Sequence, residues 1–75
     1  MTLADAKFQT PLIVINFWNK DIQNRLMDFG LLIGSQIKIE YCAPLCDPFI
    51  ISLDNSLIQL NKKEAKTIEV LYNNN

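Results

Sequence analysis

The sequence predicts a mainly β fold: a small, nearly closed barrel of about five short strands. Three observations carry this. Stretches rich in β-branched and aromatic residues recur at short intervals, bounded by turn residues. One amphipathic segment, Lys20 to Phe29, stands after the first strand. The chain is only 75 residues long. A chain of this size buries about 60% of its unfolded surface, which suits one domain and leaves no room for an enclosed cleft beside a full core.

The elements run in order from the N-terminus. Residues 1–10 form a short lead, in which Thr2 can start one helical turn and Leu3 and Phe8 can pack onto the strands beyond it. Leu12-Ile-Val-Ile-Asn-Phe17 reads as a strand, buried on both faces at its start. Asn19 is placed to cap a helix, and Asp21 sits in its first turn, where the helix dipole favours an anion. Ile22, Leu26 and Phe29 share one face and are expected in the core with Leu31 and Leu32. Gly30 suits the left-handed residue that ends a helix, and Gly34 a turn into the next strand.

Gln36 to Tyr41 alternates, with Ile37, Ile39 and Tyr41 on the inner face. Pro44 and Pro48 bracket a loop. Phe49 to Leu53 and Leu57 to Leu60 are strands joined by Asp54-Asn55-Ser56, in which Asn55 best accepts positive φ. Asn61 and Glu64 form a capping box that opens one helical turn. Ile68 to Tyr72 is the last strand. The core is expected over about 11–72, and Asn73 to Asn75 as a frayed tail. There is no internal repeat and no linker.

Composition narrows function. Net charge is −1, and Lys and Arg are dispersed among acidic residues. Nucleic-acid binders concentrate basic charge, because phosphate neutralisation dominates their affinity, so no nucleic-acid partner is expected. No apolar run approaches the roughly 20 residues that cross a bilayer, so no direct membrane insertion is expected. The N-terminus lacks a basic region followed by an apolar one. No signal peptide is read, and a cytoplasmic location is expected. The chain has no histidine. Its hydroxyls and thiols therefore lack the usual base, and no catalytic residue is assigned. Gly30 and Gly34 come after the helix instead of preceding one, the wrong side for a phosphate site, and no cofactor is expected.

The segment Arg25-Leu-Met-Asp-Phe-Gly-Leu-Leu-Ile-Gly34 is followed by Ile37-Lys-Ile39, Ala43-Pro-Leu-Cys-Asp-Pro48, Ile58-Gln-Leu60 and Glu64-Ala65. Together these closely resemble the FeoA family, the small cytosolic component of bacterial ferrous iron uptake. A related module forms the C-terminal domain of iron-dependent repressors. The resemblance implies an SH3-like barrel and a regulatory role through contact with FeoB, the permease with a cytosolic GTP-binding domain. It implies recruitment to the inner face of the membrane through that partner. The alternative it implies is a metal-responsive or nucleic-acid-binding SH3-like domain. The chain departs from the family at three places. Cys46 and Asn55 stand where glycines are usual, and Gln9-Thr10 where a Pro-Gly pair is common.

Four residues are candidates for partner contact. Leu45 and Asp47 lie on the proline-stiffened loop, where Leu45 either faces a partner or plugs one barrel end. Met27 lies off the apolar helix stripe, an adaptable contact. Trp18 either lids the core or docks. Cys42 and Cys46 are expected as free thiols in a cytosolic chain. They are also weak candidates for a metal site, short of the four ligands a closed zinc site takes. The barrel's strand edges and apolar loop allow a weak homo-oligomer.

Overall fold

A computed structural model describes residues 1–73. Strands β1 (Leu12–Phe17), β2 (Gln36–Cys42), β3 (Phe49–Leu53), β4 (Ser56–Leu60) and β5 (Ile68–Tyr72) form one five-stranded sheet, ordered β4-β3-β2-β1-β5. Every pairing is antiparallel. Helix α1 (Lys20–Met27) comes after β1, and the short α2 (Lys62–Ala65) precedes β5. This is the SH3-like order. β2 makes the corner: Gln36 and Ile37 pair with β1, and Lys38, Ile39, Tyr41 and Cys42 pair with β3. A register shift between Ile39 and Tyr41 bends the strand. The shift also explains Tyr41, which is exposed where strict alternation expects it inside.

The core fills the barrel with side chains from every strand. Leu12, Val14, Ile37, Ile39, Ile51 and Val70 are among its fully or nearly fully buried members. β1 alternates buried and half-buried residues instead of hiding both faces at its start. The lead is more than an approach to the barrel. Leu3, in a 3-10 turn over Leu3–Asp5, is wholly buried, and Ala6 is buried with it. The core therefore begins upstream of residue 11. Thr2 bonds the Asp5 carboxylate with its hydroxyl, not the backbone cap expected of it. Phe8 meets Phe49 edge-on, with ring centroids 6.2 Å apart.

Helix α1 starts as its sequence directs. The Asn19 side chain accepts from the Ile22 N–H. The helix stops at Met27, and its ending is a Schellman pair. Gly30 N–H bonds the Met27 carbonyl, and Leu31 N–H bonds that of Leu26. Gly30 supplies the φ of +86° this needs. Leu26 and Leu31, joined by that bond, are both buried. Phe29 and Leu32 are not. The helical period ends before Phe29, so it turns outward, 59% exposed, and Leu32 stands on the surface as well.

In the β3–β4 hairpin the positive φ falls on Asp54, not Asn55. The capping box of α2 is complete, with Asn61 accepting from Glu64 N–H and Glu64 from Asn61 N–H. Asn73, expected in a frayed tail, bonds Gln36 through its side chain and the Pro11 carbonyl through its N–H. Asn74 and Asn75 lie outside the described residues.

Candidate functional site

The β2–β3 connection is built by backbone constraint. Pro44 begins a 3-10 turn over Pro44–Cys46. Leu45 and Cys46 both take left-handed conformations, φ +67° and +52°. Two such residues in succession reverse the chain tightly. Ala43 clasps the loop, donating to Pro48 and accepting from Cys46. The Asp47–Pro48 peptide is cis.

This reversal brings the Cys42 and Cys46 Cα atoms to 4.7 Å, and the two residues form a disulfide. The separation falls in the usual range for a bridge. The expectation of two free thiols is thus corrected. The signal missed in sequence was the loop's curvature, which spacing alone does not give. Both sulfurs are spent on each other, so they do not act as a thiolate pair for a metal in this state. Cys46 takes the positive φ that suits the glycine usual in its place.

The loop's outermost point is Leu45, 92% exposed. It does not plug the barrel. Asp47 braces the loop from within, its carboxylate accepting from Lys62 N–H at 3.1 Å. The acceptor joins the loop to the first turn of α2, where an anion is favoured. Glu64 of α2 also pairs with Arg25 of α1. Loop, α2 and α1 are thereby tied in series.

The other candidates stand apart. Trp18 is 68% exposed, so it lids nothing, and its indole N–H donates to Glu69 on β5 at 2.8 Å. Met27 is about half exposed at the end of α1. Sequence reading did not single out a further apolar feature. A groove between the end of α1 and the edge strand β4 is lined by Arg25, Leu26, Phe29, Leu57, Ile58 and Gln59. The missing signal was the early end of α1, which turns Phe29 into that groove's wall.

Glu40 lies on β2, within reach of Gln9 from the lead and Ser52 from β3. Its pKa is held below the ordinary value, first by the Ser52 hydroxyl at 2.6 Å, then by the Gln9 amide, with Lys38 adding a smaller attraction. Gln9 itself has φ +59° and reaches the Glu40 carbonyl at 2.6 Å. The arrangement ties the lead to β2 and β3. Among the described residues no three His, Cys, Asp or Glu side chains gather at a metal-sized site. No helix among them is long and apolar enough to cross a membrane.

Fold and surface together define a small SH3-like module that presents a rigid apolar loop and an apolar groove. Comparison with known proteins names the family. The FeoA domain model matches residues 1–71. A Campylobacter jejuni protein named "Putative Fe(2+) transport protein A" is 34% identical over 71 residues, covering 93% of this chain and 96% of its own. The solution structure of the Chlorobium tepidum FeoA protein superposes with a TM-score of 0.88 at 30% identity, over 96% of this chain and 70% of that one. The regulator ScaR, solved with bound Zn2+, matches over 93% of this chain but 35% of its own length, at 27% identity and TM-score 0.82. This chain belongs to the FeoA family of ferrous iron transport proteins.

Proposed function

We propose that this protein is a non-catalytic accessory of ferrous iron uptake that works by docking on the cytosolic side of a FeoB-type permease. The observation that carries the reading is Leu45. A large apolar side chain stands almost wholly in solvent, on a loop held by two prolines, the Ala43 backbone clasp and the Asp47–Lys62 bond, restraints that do not depend on the redox state of Cys42 and Cys46. Such a loop loses little conformational entropy on binding, and an apolar side chain gains most from being covered. Membership of a ferrous iron transport family supports a partner within that transport system. Trp18 and Met27 are further contacts. Asp47 sets the loop's geometry through its bond to Lys62 N–H and, being exposed, is a further contact.

Docking changes transport only if one state of the permease is bound better than another. The binding surface must therefore be specific in shape, which favours a rigid loop over a mobile one.

The test is recovery of the cognate permease by the wild-type protein and by Leu45→Asp. Removing a central apolar anchor costs about 2 kcal/mol or more, so recovery falls by more than tenfold. Circular dichroism checks that the variant is folded. Equal recovery by a folded variant removes the loop from the interface.

A further inference from the structure

The sheet has two edges, and they are treated differently. β5 is covered by the chain's first residues: Thr2 bridges Glu69, and Val70 N–H donates to the Met1 carbonyl at 2.9 Å. β4 pairs with β3 alone. In an antiparallel ladder each strand directs alternate residues to its neighbour. A two-residue turn fixes the phase, so Ser56, Ile58 and Leu60 bond β3. The N–H and C=O groups of Leu57 and Gln59 point away from the sheet. No hydrogen bond among the described residues satisfies them. The outer face beside them is apolar: Leu57 is 63% exposed, and Phe29 flanks it across the groove.

We propose that β4 pairs antiparallel with β4 of a second copy, joining two barrels through one continuous sheet. One register satisfies every free group. With Ile58 opposite Ile58 of the second copy, Leu57 stands opposite Gln59 of the second copy, and Gln59 opposite Leu57 of the second copy. Each of these is a hydrogen-bonded pair, so four ladder bonds form around a two-fold axis. The charges at the strand's ends agree with the same register. Asp54 precedes β4 and Lys62 follows it. Two-fold pairing centred on Ile58 brings each Asp54 toward Lys62 of the second copy. Neither residue has an ion-pair partner within the described residues. A parallel or shifted pairing loses either the bonds or the charge match.

The pairing is weak. A five-residue strand with Leu57 and Phe29 covers less than the roughly 800 Å² per partner of a standard interface, so dissociation in the range of about 0.1–1 mM is expected. This dimer is independent of the permease reading and stands or falls without it.

Sedimentation equilibrium of the 75-residue chain up to about 1 mM tests it. The wild type shifts from monomer toward dimer as concentration rises. In the same series, hydrogen exchange slows with concentration at the amides of Leu57 and Gln59. Leu57→Pro removes an outward N–H that β3 does not use, a substitution an edge strand tolerates. It weakens association by about tenfold or more. Lys62→Glu sets like charges face to face and weakens it about threefold to tenfold. It leaves the hairpin untouched, so it serves if the proline variant fails to fold. A wild type that stays monomeric, edge amides whose exchange ignores concentration, or a dimer indifferent to Lys62→Glu overturns the proposal. In the first case the edge is left for an extended peptide of another protein.

Discussion

At the scale of single residues, the unusual backbone positions cluster where chain segments must reverse. Cys46 and Leu45 reverse the β2–β3 loop, Gln9 ends the lead, and Asp54 turns the hairpin. One of these, Cys46, stands where the family's pattern has a glycine, and there a residue with a side chain accepts a backbone that suits glycine. The family pattern marked Cys46 as a departure without fixing its conformation, which the structure gives as φ +52°. Its bond to Cys42 was not legible either, because a four-residue spacing does not fix where the Cβ atoms point. Glu40 illustrates a residue whose role needed the fold: Gln9 and Ser52 are distant in sequence and meet only on its carboxylate. Its pKa is lowered, so it stabilises the fold above the unfolded carboxylate value, and that contribution fades as pH falls through the folded one. Glu40→Gln should therefore lower the urea midpoint at pH 7, and the gap from the wild type should close at a pH low enough to protonate the folded-state carboxyl, below the ordinary carboxylate range. Midpoints measured at both values check this, and a gap of the same size at both would argue against the charged contact.

At the scale of elements, the strands were the most readable parts, because alternation and turn residues agree. β3 and β5 fall where their apolar runs lie. Readings failed where a period was carried past the element that sustains it. Phe29 belongs to the stripe of α1 only if the helix continues, and the Schellman ending stops it at Met27. Tyr41 belongs inside only if β2 is regular, and a register shift intervenes. Both exceptions enlarge the exposed apolar surface, so each error in reading the core is a gain in reading the surface. α2 is the opposite case. One turn cannot hold itself by helical bonds alone, and its capping box, the Asp47 acceptor and the Arg25 ion pair supply what length does not. Glu64 serves both cap and ion pair, so Asn61 is the residue that tests the cap by itself. Asn61→Ala should cost about 1 kcal/mol. For a domain of this size, that lowers the melting temperature by about 4–8 °C. A thermal scan by circular dichroism measures it.

At the scale of the whole molecule, the first residues decide how the barrel is completed. A domain of this length has total stability of about 4–11 kcal/mol, so a single buried leucine is a large fraction of it. Leu3 is such a leucine, wholly buried at the start of the chain. Its turn is placed by the bonds that cover β5, where Thr2 and Met1 close one sheet edge and leave β4 as the other. Alternation does not mark this segment in sequence, because one turn of 3-10 helix has no period to show; Leu3 is legible only as an apolar residue near a capping pattern. Leu3→Ala removes the side chain and opens a cavity that rigid strands cannot fill. The expected cost is about 2–5 kcal/mol. Urea unfolding should show a lower midpoint with the slope unchanged, since the surface exposed on unfolding is nearly the same. A changed slope would mean that the lead had detached before the barrel unfolds. An unchanged midpoint would place the lead outside the cooperative core, and the covered edge of β5 would then not be part of what stabilises the domain.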